Sequence, residues 1–204
     1  MKLNLVVGCR RQCEFCMGHN NGIIEKLPFP NILIGDIDWI DVNILENEDL
    51  KEDLNQLIRL KDNKEIKNIN LVQGIDYRIV TDDFLEQLYK LKIKPIRWAW
   101  DWSYDKIYDQ LRFIKRLEKI GWKRKDMQIF MICNWKVLPS ICNKKLDSLK
   151  YWNIQIADCW YPSGIKTCKG GIWDLDEVKQ FRSKCRKHNQ LVRHNGIDPE
   201  WKPK

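Results

Sequence analysis

The stretch IKNINLVQGIDYRIVTDDFLEQLYKL (residues 66–91) decides the fold class. It opens with a short apolar run, passes through Gln73-Gly74 and continues into a segment with helical spacing. Thr81 stands where a helix N-cap is expected, because its hydroxyl can accept a backbone N–H of the first turn. Four apolar side chains then share one helix face: Phe84, Leu85, Leu88 and Leu91. A strand, a polar loop and a capped helix in this order make one βα unit.

The same order recurs on both sides of this unit. Asn47, Ser103 and the pair Asp174 and Glu177 are predicted to begin further helices, and Leu191-Val192 is predicted to form a last short strand. About five alternations of buried strand and helix predict a parallel sheet in an open, partial (βα)5–6 barrel, since a closed eight-stranded barrel needs about 250 residues. One domain over residues 1–204 is expected, with its core over about 1–195. The other predicted strands cover residues 3–7, 31–45, 96–100, 127–132 and 154–157.

Composition narrows the class of protein. The 204 residues are 44% apolar and 31% charged, which is typical of a globular chain. No apolar run reaches the ~18 residues of a membrane helix, and residues 3–7 are too short for a signal peptide. We therefore expect a cytoplasmic protein with no membrane partner. The net charge is +8, and residues 61–204 are its basic part; a phosphate-bearing partner and a solvated, lysine-rich surface both remain open.

Polar, glycine or cysteine residues follow each predicted strand. In open parallel sheets, ligands bind beyond the carboxyl ends of the strands. We therefore expect the chemistry of this protein to lie at these positions. They are Gly8-Cys9, Gln73-Gly74, Asp101, Asn134 and Asp158.

The sequence GCRRQCEFC (residues 8–16) places three cysteines in one loop directly after the first predicted strand. Three neighbouring thiolates suit an iron–sulfur cluster or zinc. A [4Fe–4S] cluster normally takes four cysteines, so three would leave one iron with an open coordination site. Phe15, just before the third cysteine, would shield the apolar side of such a cluster.

This loop resembles the C-x3-C-x-aromatic-C motif of radical S-adenosylmethionine (SAM) enzymes, including its place after the first strand of a βα series. The resemblance implies a [4Fe–4S] cluster on Cys9, Cys13 and Cys16, with SAM chelated to the unique iron. It also implies an electron donor such as flavodoxin or ferredoxin. Reductive cleavage of SAM would give a 5′-deoxyadenosyl radical that abstracts hydrogen from a substrate. Small molecules, peptides and nucleic acids remain open as that substrate.

The family also has a GGE-type motif after its second barrel strand, which holds the SAM amino group. By resemblance, its equivalent here is the stretch around Gln73, Gly74 and Asp76. Gln73 replaces the first glycine, Gly74 stands at the second, and Ile75 occupies the glutamate position. Asp76 follows one residue later and is the candidate ligand of the amino group.

Two further positions are candidate contacts of SAM. Asp101 and Asn134 close the third and fourth strands of that count, where the family commonly contacts the methionine or ribose; helix capping or loop hydrogen bonding is the alternative for each. Three alternating tryptophans beside Asp101 share one strand face, either as core or as a wall on which a substrate stacks. They are Trp98, Trp100 and Trp102.

Two readings compete with a radical SAM enzyme. His19 could complete a tetrahedral zinc site with the three loop cysteines. A zinc- or cluster-stabilised basic module could then bind a partner such as nucleic acid without catalysis. The other competitor is a barrel that binds a cluster but has lost turnover, since the glutamate of the GGE motif is missing.

Further cysteines come later in the chain. An auxiliary cluster at the rim is one interpretation, because two of them follow strand ends and two lie in the loops beyond. Four unrelated reduced thiols that pack as small hydrophobic groups are the other, favoured by the lack of a C-x2-C pair. The four residues are Cys133, Cys142, Cys159 and Cys168.

Overall fold

The structure is a computed structural model, and its residues cluster into two compact units. The first comprises Met1–Trp98 with Lys119–Gly121, and the second comprises Ala99–Glu118 and the residues from Trp122 onward. The structure describes residues 1–16, 18, 20–101, 103–160 and 173–194.

The first unit contains a parallel sheet and a small antiparallel pair. The parallel sheet has the order β1–β4–β5, and the pair joins β2 to β3. The five strands are β1 (Lys2–Leu3), β2 (Val6–Val7), β3 (Glu25–Lys26), β4 (Gly35–Trp39) and β5 (Ile66–Leu71).

The strand predicted over residues 3–7 is therefore split in two, and Asp41 explains the break. The buried carboxylate of Asp41 accepts the backbone N–H groups of Leu5 at 2.7 Å and Val6 at 3.3 Å. It also accepts the indole N–H of Trp39 at 2.8 Å. Burial raises the pKa of Asp41 more than these bonds lower it. A side chain thus takes the place of a neighbouring strand at Leu5, and the chain turns toward β3.

Two helices accompany the sheet of the first unit, α1 (Leu50–Asp62) and α2 (Asp82–Lys90). Thr81 caps α2 as predicted, since its hydroxyl accepts the N–H of Phe84 at 3.3 Å. The predicted cap at Asn47 is wrong, because α1 begins after Asp49. The Asn47 side chain instead accepts the N–H of Asp49 at 3.0 Å.

A further three-stranded sheet has the order β6–β7–β8, of which β7 and β8 belong to the second unit. The strands β7 and β8 are parallel, as the βα pattern predicts. The strands and helices of this part of the chain are β6 (Ile96–Ala99), α3 (Ile107–Ile120), β7 (Met127–Ile132), α4 (Pro139–Trp152), β8 (Gln155–Cys159) and α5 (Leu175–His194).

The ends of two of these helices test the sequence predictions. The capping box is confirmed: Asp174 accepts the N–H of Glu177 at 2.7 Å, and Glu177 accepts that of Asp174 at 3.0 Å. The last strand at Leu191-Val192 is wrong, because both residues lie in α5, where Val192 is buried. The predicted cap at Ser103 is also wrong, since α3 begins only at Ile107.

The described residues thus form a mixed α/β structure with five α-helices and mostly parallel sheets. Their strands do not close into a barrel, and a partial radical SAM barrel stays a prediction. Among the same residues, no helix combines the length and the apolar character needed to cross a membrane.

Candidate metal centre

The loop with three cysteines leaves β2 through a position that only glycine fits. Gly8 has a φ of +94°, and a Cβ added there would lie 1.9 Å from the carbonyl oxygen of Ile23. L-residues avoid this φ, and the backbone of Ile23 leaves no room for a side chain. The close approach fixes the start of the loop and brings Cys9, which is buried, into the first unit.

Backbone N–H groups point at two of the three loop sulfurs. The N–H of Arg11 donates to Cys9 Sγ, and that of Gly18 donates to Cys16 Sγ, each at 3.4 Å. The N–H of Cys16 donates to the carbonyl of Cys13 at 2.8 Å, which folds the second half of the loop into a turn. None of the three cysteines forms a disulfide within the described part of the chain. Hydrogen bonds to sulfur favour the thiolate and tune the potential of iron–sulfur clusters.

Two polar side chains that sequence reasoning missed contact Cys9. Asn43 caps a short 3-10 turn between β4 and α1, and Glu46 is its last residue. The Asn43 amide donates to Cys9 Sγ at 3.6 Å, and the Cys9 thiol donates to Glu46 Oε1 at 3.8 Å. This turn follows β4, which pairs in parallel with β1, and the cysteine loop follows β2, the next strand after β1. No local sequence pattern indicates that pairing, so the two contacts could not be found from the sequence.

The two arginines of the loop pair with different carboxylates. Arg10 Nε lies 3.3 Å from Glu46 Oε2, and Arg11 Nε lies 2.6 Å from Asp76 Oδ2. Arg78 adds a second cation on Asp76, with Nε 2.7 Å from Oδ1. Burial raises the pKa of the Asp76 carboxyl, but the bonds and charge of Arg78 and the charge of Arg11 lower it below its usual value.

The stretch aligned by resemblance with the GGE motif follows a different strand from the one assumed. It comes after β5, the third parallel strand of the first unit in chain order, whereas the second is β4. Gln73 is exposed and Gly74 is half-buried in the loop that leads to α2. The assumed strand count is wrong because part of the β-rich stretch over residues 31–45 forms β4 (Gly35–Trp39), which lies between β1 and β5 in the sheet. Contact of Gln73 and Gly74 with SAM stays a prediction.

Asp101 and Asn134 belong to the second unit, where Asn134 is buried and Asp101 is half-buried. The ammonium of Lys145, on α4, donates to the carbonyls of Asp101 and Trp100, the latter at 3.0 Å. Lys145 is fully buried, and burial lowers its pKa to about 8. Contact of Asp101 or Asn134 with SAM stays a prediction.

Two of the three alternating tryptophans lie among the described residues, and both are in the core. Trp98 and Trp100 are buried, which supports packing in the core for both. The ring of Trp100 stacks on those of Tyr104 and Trp152, with centroids 5.7 and 5.6 Å apart. Trp102 lies outside the described residues.

The later cysteines that the structure describes are buried or half-buried, and Cys142 lies in α4 rather than in the predicted loop. Cys133 and Cys142 are buried, as is Cys185, which was not among the predicted ligands. The Cys133 thiol donates to the carbonyl of Met131 at 3.3 Å, and burial raises its pKa well above the usual value. Burial also raises the pKa of Cys159 to about 11. Cys168, the fourth thiol of the predicted auxiliary cluster, lies outside the described residues, as does His19 of the predicted zinc site.

The donor set of the loop fits an iron–sulfur cluster. Within the described part of the chain, no three His, Cys, Asp or Glu side chains converge on one metal ion. A cubane cluster does not need that convergence, because each cysteine binds a different iron. Three thiols in one loop, with backbone N–H donors on Cys9 and Cys16, provide the soft ligands that such a cluster requires.

Comparison with known proteins identifies no family for this chain. No protein-family model matches the chain, and no curated protein sequence matches it. A functional assignment therefore depends on the loop and its contacts.

Proposed function

We propose that this chain is a radical SAM enzyme with a [4Fe–4S] cluster on Cys9, Cys13 and Cys16. The observation on which the proposal depends is the loop itself: C-x3-C-x2-C directly after β2, with the sulfurs of Cys9 and Cys16 accepting backbone N–H groups. When bound, the reduced cluster would supply the electron that cleaves SAM to methionine and a 5′-deoxyadenosyl radical for hydrogen abstraction.

The residues of the loop have separate tasks in this proposal. The three cysteines would each bind one iron of the cluster and leave the fourth iron open to SAM. Phe15, which is half-buried, covers the apolar side of the cluster and excludes water. The N–H groups of Arg11 and Gly18 hold the sulfurs of Cys9 and Cys16 in place.

Glu46 is the buried carboxylate in contact with the first cysteine, which makes it the acceptor we propose for the SAM amino group. Its Oε1 already accepts the Asn43 amide and the Arg10 N–H, each at 3.2 Å. The Arg10 guanidinium on Oε2 is 69% exposed, so a cationic ligand can replace it at little cost. Glu46 thus supplies near the loop the negative charge that the position of Ile75 lacks.

Anaerobic reconstitution followed by turnover tests the proposal. With a strong reductant, the chain is expected to form 5′-deoxyadenosine from SAM, and Cys13→Ala is expected to lose this activity together with its iron. Cys159→Ala is the matched control, because it removes a half-buried thiol outside the loop, and it should keep both. Cleavage of SAM by Cys13→Ala would overturn the assignment, as would one zinc per chain without sulfide, which would favour the non-catalytic binding module.

A further inference from the structure

The adjacent arginines of the cysteine loop reach two carboxylates that come from successive strand–helix connections. Glu46 lies between β4 and α1, and Asp76 lies between β5 and α2. Arg10 meets the first carboxylate and Arg11 the second, at the distances given above. The cysteine loop is therefore tied at neighbouring residues to two different parts of the first unit.

The two partners of each ion pair differ in burial. The side chains of Glu46 and Asp76 are each 7% exposed, whereas those of Arg10 and Arg11 are 69% and 37% exposed. A desolvated carboxylate depends on its partners, and loss of a partner leaves an uncompensated buried charge. Loss of an arginine would therefore leave a buried carboxylate with less compensating charge, whereas an arginine that loses its carboxylate stays in contact with solvent.

Arg11 has the tighter pair of the two. Arg11 Nε lies 2.6 Å from Asp76 Oδ2, and the Arg11 side chain is about half as exposed as that of Arg10. Solvent therefore screens the pair of Arg10 and Glu46 more strongly. Arg78 contacts both oxygens of Asp76: its Nε and backbone N–H lie 2.7 and 3.1 Å from Oδ1, and its Nη2 lies 3.2 Å from Oδ2. Asp76 would therefore keep a cationic partner in an Arg11 variant, so that this variant can fold.

We propose that Asp76 is a positioning residue: through Arg11 it holds the cysteine loop in the conformation that receives the cluster. Arg10 and Glu46 contribute a weaker second tie. The role of the loop as a cluster site depends on the proposed function, but the tie itself is a property of the metal-free chain. It gives Asp76 a task other than direct contact with SAM.

Hydrogen–deuterium exchange on the metal-free chain tests the tie. We expect the amides of residues 9–16 to exchange about fivefold faster or more in Arg11→Gln and in Asp76→Asn, which corresponds to about 1 kcal/mol of lost loop stability. The double variant should exchange no faster than the faster single variant, because both changes remove the same pair. Arg11→Lys should restore part of the protection, since it keeps the charge.

Arg78→Gln is the matched control, because it removes a cation from Asp76 and leaves the Arg11 contact in place. It should change exchange over residues 9–16 by less than about twofold. Unchanged exchange in Arg11→Gln would overturn the proposal, and so would additive effects in the double variant. Neither result depends on a cluster, so failure of this proposal is distinct from failure of the cysteine substitutions to abolish SAM cleavage.

Discussion

The cysteine loop and the buried thiols of the second unit put the same residue type in opposite environments. In the loop, backbone N–H groups donate to the sulfurs of Cys9 and Cys16, and Arg10 and Arg11 lie between the first two cysteines. In the second unit, Cys133 and Cys142 are buried, and the Cys133 thiol donates to a carbonyl. The loop sulfurs thus accept backbone N–H groups, whereas burial raises the pKa of the Cys133 thiol and favours its neutral form.

This contrast shows which cysteines suit a metal. A metal ligand must be deprotonated, so a thiol whose pKa is raised by burial binds metal only at a cost. Cys133 is such a thiol. The number of cysteines in the chain does not distinguish the two groups, but their surroundings do.

The largest effect we expect is in thiol reactivity. At pH 8 the metal-free chain should react with iodoacetamide at Cys13 and Cys16 faster than at Cys159, by up to about 100-fold. A pKa of about 11 lowers the thiolate fraction of Cys159 about 100-fold relative to an ordinary thiol, since each pKa unit is a factor of ten. Peptide mass spectrometry over time gives the rates at each cysteine. Equal rates in the folded chain would remove the contrast.

A smaller effect concerns the backbone that starts the loop. Gly8→Ala should lower the free energy of unfolding by more than about 3 kcal/mol, because it adds a clash with Ile23 to the strain of a positive φ. Gly35→Ala is the control: Gly35 has a φ of +75° but open space around its Cβ, so only about 1 kcal/mol of strain is expected. Denaturant titrations measure both. Equal losses would show that the contact with Ile23 does not constrain the loop.

The smallest of these effects concerns Lys145, whose charge is buried in the second unit near Cys142. Its pKa is about 8 in the folded chain and about 10.5 when unfolded, so between these values the unfolded state binds more protons. Relative to Lys145→Met, the wild-type chain should therefore gain stability as pH rises from about 8 to 10.5, by at most about 3 kcal/mol. Thermal melts of both chains over this range give the difference, and a flat difference would contradict it.

Local signals predicted the elements correctly where one short stretch decides the structure. Thr81 and the pair Asp174 and Glu177 begin helices as predicted, because a cap depends on neighbours within three residues. Residues 127–132 form β7 with the predicted bounds. The strand predicted at Leu191-Val192 is wrong for the opposite reason. Two apolar residues are too few to show a strand or helix period, and their place in α5 depends on the packing of the whole helix.

The contacts of the site depend on residues far apart in the chain, and the sequence did not reveal them. Asp41 interrupts the first strand from 36 residues away, at Leu5. Glu46 reaches Cys9 across 37 residues. Such contacts follow from the order of strands in the sheet, which apolar periodicity does not determine. The C-x3-C-x2-C spacing was visible because its three cysteines lie within eight consecutive residues.

Electron paramagnetic resonance of the reduced, reconstituted chain tests the central claim most directly. The account predicts about four irons per chain and a signal of a reduced [4Fe–4S] cluster that shifts when SAM is added, because SAM coordinates an iron without a cysteine ligand. A signal that SAM leaves unchanged would show that no such iron is open to it. Absence of an iron–sulfur signal from a folded chain would contradict the account altogether.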